Sequence, residues 1–189
     1  LYKNKKNQGA GQSRNFAIKK SKGEFLAFID SDDIWKKRKL EIQIKFMKKK
    51  NIIASFTSYC IIDSLGKVVG FREAKKKITL KDLKYSCDIG LSTVVLRKIK
   101  KINNIIKFPN IKTKEDYVLW INLSKNKVNF FGLKKNLTSW RKLSNSLSSN
   151  VVQKLLDGFR VYNTYFKFNF FKSLFFLILL SLNYLRKII

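Results

Sequence analysis

Five consecutive apolar residues, Phe25-Leu26-Ala27-Phe28-Ile29, run directly into Asp30-Ser31-Asp32-Asp33. A short apolar run that ends on a turn signal reads as a strand buried in a parallel or mixed sheet. Open α/β sheets place their ligands just beyond the C-terminal ends of their strands, where these carboxylates stand. The acids are also scarce elsewhere. The 189 residues contain 12 Asp and Glu against 41 Lys and Arg, yet three acids fall within four positions. Carboxylates this close repel one another unless a cation sits between them.

The formal net charge of +29 first suggests nucleic acid, but the excess is almost all lysine. Arginine is the residue suited to bidentate base and phosphate recognition, and here the lysines are spread along the whole chain. A nucleic-acid partner is therefore not expected. An abundance of Lys, Asn, Ile and Phe fits a bias toward A/T-rich codons, and an anionic membrane surface is the other partner such a chain attracts. The sequence has no histidine, which excludes Ser-His-Asp triads, Cys-His pairs and His-ligated zinc. Cys60 and Cys87 form no CxxC, so a metal site on them is not expected and a reducing compartment fits. The length suits one domain with one sizeable core. The chain starts at Leu1 and shows no signal-peptide pattern, so either an N-terminal portion is missing or the start is unusual.

Along the chain, Ala10 to Ser21 reads as a short helix closed by Gly23. Lys36 to Lys50 reads as a helix that buries Leu40, Ile44 and Met47. Ile52 to Ile62 and Lys67 to Arg72 read as strands joined at Asp63-Ser64-Leu65-Gly66. Thr79 is a candidate N-cap for a helix to Tyr85, and Leu91 to Leu96 reads as a strand. Glu115 to Ser124 reads as a helix with acids in its first turn. Val128 to Gly132 and Leu137 to Arg141 read as two strands, followed by a loop from Ser144 to Asn150. From Val151 the chain becomes aromatic, apolar and basic. Its uninterrupted apolar run, Leu174 to Leu180, is shorter than the roughly 20 residues that a spanning helix needs. Two readings of this tail stay open: an amphipathic helix on a membrane surface, or a helix packed on its own domain or on a second copy.

Four segments in order resemble glycosyltransferase family 2. They are Gly9-Ala10-Gly11-Gln12-Ser13-Arg14-Asn15; Gly23 through Trp35 with its Asp30-Ser31-Asp32-Asp33; Lys39-Leu40-Glu41-Ile42-Gln43; and Lys114-Glu115-Asp116-Tyr117-Val118-Leu119-Trp120. Trp140-Arg141 with Ser146 and Ser148 is similar to the family's C-terminal "YR…S.S" segment, with Trp140 in place of tyrosine. The resemblance runs from about residue 4 to about residue 165, and the teichuronic-acid and capsule transferases look nearest. It implies an α/β fold of the GT-A type: a mixed sheet flanked by helices, N-terminally truncated because the family's first strands would precede Leu1, with a C-terminal helical tail. It divides the chain into a partial catalytic domain, residues 1–150, and the tail, residues 151–189.

The resemblance further implies Mg²⁺ or Mn²⁺ on Asp32, with Asp30 and Asp33 beside it, all three offering hard oxygen ligands. Arg14, Asp30, Arg141, Ser146 and Ser148 would contact the donor, Arg14 as a fixed cation on its diphosphate and Arg141 with the two serines as a mobile cover. Asp116 would be the general base, with Glu115 next in rank. Trp120 is read either as a sugar platform or as core. The implied activity is an inverting glycosyl transfer from a nucleotide-diphosphate sugar to a hydroxyl of a growing, lipid-linked surface glycan, on the cytoplasmic face of the bacterial membrane. Two rivals stand beside it. One is an inactive remnant that binds no nucleotide. The other is a basic nucleic-acid-binding protein, which leaves the aspartate cluster unexplained.

Overall fold

The computed structural model describes residues 2, 6–143 and 150–186. In chain order the elements are α1 (Gly9–Lys20), β1 (Phe25–Ala27), β2 (Ile34–Trp35), α2 (Lys39–Lys49), β3 (Ala54–Ile62), β4 (Val68–Arg72), β5 (Lys77–Ile78), α3 (Leu80–Leu83), β6 (Val95–Arg97), α4 (Glu115–Lys125), β7 (Phe130–Arg141), α5 (Val151–Arg160) and α6 (Phe170–Leu185). The sheet runs β1-β6-β3-β7-β2, with β4 also beside β3 and β5 beside β7. The long central pair, β3 and β7, is parallel, and every other pairing is antiparallel. This is the mixed sheet that the sequence implies.

The apolar run at its edge differs from expectation. It is not buried on both faces: β1 pairs only with β6, and Leu26 and Phe28 are buried while Ile29 is exposed. At the end of a sheet the two-residue alternation of a strand decides which side chains reach the core.

Three further readings are corrected. Leu91 to Thr93 form a tight 3₁₀ turn rather than the start of a strand, because the Thr93 hydroxyl donates to the Gly90 carbonyl at 2.6 Å. Such local bonds compete with the sheet ladder. The two strands read around residues 128–141 are one strand, β7, whose polar middle passes through shifts of register against Thr57 to Tyr59. Before these shifts Gly132 lets the chain beside β5 come close, since a Cβ there would lie 2.0 Å from the Lys75 carbonyl oxygen. Helix α1 ends not at Gly23 but at Ser21, whose hydroxyl donates to the Ile18 carbonyl at 2.7 Å.

Helix α2 turns an unexpected face inward. Lys39, Gln43 and Met47 are buried, while Leu40 is 38% exposed. Buried amines need partners. Lys39 Nζ donates to Gln43 Oε1 at 2.8 Å and lies 4.5 Å from the centre of the Trp35 ring. Gln43 Nε2 in turn donates to Ser55 Oγ and the Thr93 carbonyl. Burial lowers the Lys39 pKa to about 7.

The tail packs into the main core. Val161, Tyr162, Phe166, Phe176 and Leu180 share one apolar cluster with Tyr117, Leu119 and Trp120. A π-helical turn, Val161–Tyr165, extends α5 and buries Tyr162, whose hydroxyl donates to the Lys84 carbonyl at 3.0 Å. Helices α5 and α6 touch closely at Gly158, where a Cβ would lie 2.8 Å from Leu177 Cδ1. Beside it, the fully buried Asp157 accepts from the Thr113 amide and hydroxyl at 3.0 Å each, from Gln153 and from Arg160.

Burial raises the Asp157 pKa, but the bonds from Gln153 and Thr113, with the Arg160 charge, outweigh it and leave the carboxyl below its ordinary value. The folded state therefore binds this proton less tightly than the unfolded chain. The stabilisation is present at neutral pH and lost as pH falls through the acid range. Asp157→Ala is expected to cost about 2–3 kcal/mol, the range for bonds to a charged group, in urea unfolding at pH 7. The cost should shrink at low pH.

Candidate active site

The acids gather where α1, the end of β1 and the start of α4 meet. Three residues beyond β1 the Asp30 amide donates to Ser92 Oγ at 3.0 Å, and the Asp33 amide closes a turn on the Asp30 carbonyl. Ser92 anchors this turn from the other side too, because its carbonyl accepts from Trp35 Nε1 at 2.7 Å. Nothing in the sequence marks Ser92 for this task. Its signal lies in the 3₁₀ turn that was read as strand.

Arg14 ties the three elements together. Its guanidinium donates to Asp30 Oδ1 at 2.5 Å and to Glu115 Oε1 at 2.7 Å. Burial lowers the Arg14 pKa, but the Asp30 and Glu115 carboxylates more than compensate and raise it overall. Arg14 is thus engaged by two protein carboxylates, one on each side.

Asp116 follows Glu115 at the first turn of α4. Lys114 precedes them with a φ of 62°, a left-handed turn uncommon for a residue with a side chain. That turn swings the two acids out of the preceding loop. Asp116 Oδ1 accepts from the Tyr117 amide at 2.7 Å, and no ion pair with it occurs among the described residues. Burial, then repulsion from Glu115, pushes the Asp116 carboxyl up to about 7, against the opposing pull of Arg14. The two neighbouring acids therefore differ: Glu115 is paired with a cation and Asp116 is left basic.

Asp33 is 8% exposed. Its Oδ1 accepts from the Arg141 amide at 2.8 Å, while Oδ2 is buried without a hydrogen-bond partner of ordinary geometry. Burial pushes its pKa up to about 6, with Ser92 and the Arg141 amide pulling it down and Asp30 and Asp32 pushing it up. Among the described residues, no three side chains of Asp, Glu, Cys or His converge as a ready metal cage.

Arg141 is the last residue of β7 rather than part of a loop. Its side chain donates to the main-chain carbonyls of Asp32, Asp63 and Ser64 at 2.9–3.0 Å, so it clamps the aspartate turn to the β3–β4 hairpin. Ser146 and Ser148 lie outside the described residues. Trp120 is fully buried against Phe28 and Phe130, which makes it core. A cavity of about 670 Å³ lies between α1 and α4, lined by Gln12, Asn110, Asn122, Asn126 and Tyr165 among others, and by none of the site acids.

The family model described as Glycosyl transferase family 2 matches residues 1–87. Over 168 residues the chain is 33% identical to a protein of Bacillus subtilis (strain 168) named as the teichuronic acid biosynthesis glycosyltransferase TuaG, covering 88% of this chain and 66% of that protein. Over 156 residues it is 39% identical to the Escherichia coli UDP-Glc:alpha-D-GlcNAc-diphosphoundecaprenol beta-1,3-glucosyltransferase WfgD, covering 82% and 60%. The chain thus spans about two thirds of the first relative's length and less of the second's. The crystal structure of S. aureus TarS 1–349 in complex with UDP-GlcNAc superposes with a TM-score of 0.59 at 22% identity, over 90% of this chain and 51% of that one. That likeness shows the fold, a mixed sheet flanked by helices of the GT-A type.

If Arg14 couples Asp30 to Glu115, its effects on stability will not add with theirs. A double-mutant cycle of Arg14→Ala and Glu115→Ala in chemical unfolding is expected to return an interaction energy of about 1–3 kcal/mol, in the range for contacting charged groups. A value near zero would mean that the pair is not energetically joined.

Proposed function

The chain belongs to glycosyltransferase family 2, and on that premise we propose that it transfers a sugar from a nucleotide-diphosphate donor to a hydroxyl of a surface polysaccharide. The donor class is supported by TarS, whose structure holds UDP-GlcNAc. The acceptor is supported by WfgD, whose name gives a diphosphoundecaprenol-linked sugar as its substrate. The observation that carries the chemistry is the contrast between Glu115, paired with Arg14, and the raised, unpaired Asp116.

Asp116 is the general base of this proposal. The acceptor hydroxyl attacks the sugar carbon as the bond to the diphosphate breaks, its proton passes to the Asp116 carboxylate, and the sugar carbon inverts. A carboxyl raised toward neutral pH is matched to taking a proton at neutral pH. Arg14 serves by fixing Asp30 and Glu115, and Arg141 by fixing the Asp32–Asp33 turn. Ser146 and Ser148 remain proposed donor contacts.

The aspartate turn suits a hard divalent cation. It offers oxygen ligands only, and Asp33 Oδ2 is a buried oxygen still lacking a bond. Asp32 and Asp33, with Asp30, would hold Mg²⁺ or Mn²⁺, which supplies charge neutralisation to a departing diphosphate.

Two substitutions separate these roles. Asp116→Asn keeps the shape and removes the proton acceptor. It is expected to cut kcat by about 10²–10⁴, the range for a general base, while calorimetric titration with UDP and Mn²⁺ stays unchanged. Asp32→Asn is expected to weaken that titration as well as turnover. Retention of more than about a tenth of activity in Asp116→Asn, outside the general-base range, would remove Asp116 from the role. Because the base must be deprotonated, the rate should rise with pH through about 7 and fall below it.

A further inference from the structure

Helix α6 carries two apolar faces. Ser173, Phe176 and Leu180 are buried against the core. On the opposite side Phe171, Leu174, Phe175, Ile178, Leu182 and Leu185 recur at helical spacing, and each is exposed, from 42% at Leu174 to 80% at Phe171. A helix at the surface of a globular domain normally turns polar residues outward. A continuous apolar stripe of this kind marks an interaction surface. Helix α5 adds exposed Val151, Val152, Leu155 and Leu156, and the Phe159 ring meets the Phe170 ring at 5.4 Å.

Charge decides what fits the stripe. Helix α6 contains no acid, and Asp157, the acid on α5, is buried and paired with Arg160. Lys172 lies on α6, Arg186 closes it, Lys154 Nζ lies 5.6 Å from the centre of the Tyr184 ring of the same helix, and Lys167 precedes the helix by three residues. A second copy of this chain, itself at +29, would bring like charge to the rim of the contact. Anionic lipid headgroups would meet those cations, while the stripe enters the acyl boundary. The 16 residues of α6 reach about 24 Å at 1.5 Å per residue, short of a hydrocarbon core of about 30 Å, and no described helix is long and apolar enough to cross a membrane.

We infer that the outer face of α6, with its rim of lysines and Arg186, is a docking surface for an anionic lipid bilayer, on which the helix lies in the plane of the interface. The inference stands on the two helices and does not depend on the transfer reaction.

Co-sedimentation of the full chain with phosphatidylglycerol-rich vesicles tests it, with phosphatidylcholine vesicles as the neutral control. Binding is expected to the anionic vesicles, to weaken with salt and to be much lower on the neutral ones. The triple variant Phe171→Ser, Phe175→Ser and Ile178→Ser is expected to lose at least about tenfold in partition, as loss of buried apolar area requires, with an unchanged circular dichroism spectrum. Should the triple variant misfold, Phe171→Ser alone, at the most exposed position, should show a smaller loss in the same direction. Equal binding by folded variant and parent, or no preference for anionic vesicles, would overturn the inference. So would a dimer, seen by sedimentation, that the same substitutions dissolve. The UDP titration with Mn²⁺ is read separately, so failure of either proposal leaves the other standing.

Discussion

The two ion pairs of Arg14 are the interaction on which the site depends. The Arg14 guanidinium joins Asp30, just beyond β1, to Glu115, at the start of α4 and 101 residues from Arg14 in the sequence. Without it, three negative groups from two elements would face one another at close range. With it, Asp30 and Glu115 are held in fixed ion pairs, while Asp116 keeps a raised affinity for a proton because burial and the Glu115 charge outweigh the opposing pull of Arg14. An ion pair that is only partly exposed loses less to solvent screening than one on the open surface. Here it also distinguishes two adjacent acids, because Glu115 carries the ion pair and Asp116 has none among the described residues.

The same logic extends outward from the acids. The left-handed turn at Lys114 aims Glu115 and Asp116, and the preceding residue, Thr113, is bound twice by Asp157 of α5. Gly158, next in sequence, lets α6 approach to contact. The tail is therefore linked to Glu115 and Asp116 through one short loop and one buried carboxylate. On the other side, Arg141 clamps the aspartate turn to the β3–β4 hairpin. Most of the molecule is strongly basic, and five of its twelve acids, Asp30, Asp32, Asp33, Glu115 and Asp116, lie at this junction.

Much of this was legible from residue patterns, for physical reasons. The hairpin at Asp63 to Gly66, the Thr79 cap with its Asp82 partner and the acidic first turn of α4 all follow from local bonds that their own side chains make. The apolar-to-acidic junction at Ile29–Asp30 marks the turn that Arg14 joins to the start of α4. The inward face of α2 was not legible. Hydrophobicity favours Leu40, whereas the packing buries Lys39 and Gln43 because Trp35, Ser55 and Thr93 give them partners. Ser92, the Arg14–Glu115 pair and Asp157 were hidden for the same reason: each acts through a partner distant in the chain. The sequence shows the tail's apolar character, but only packing divides α6 into a core face and an outer stripe.

The claim at the centre is that burial and the adjacent Glu115 charge leave Asp116 as the basic carboxylate of the pair, against the pull of Arg14. Carbon-13 NMR titration of the carboxyl groups, with Asp116→Asn used to assign the Asp116 signal, measures this directly. The account predicts an Asp116 midpoint well above the ordinary aspartate range of about 4, moving down when Glu115→Gln removes the adjacent charge. An Asp116 midpoint in the ordinary range, unmoved by Glu115→Gln, would contradict it.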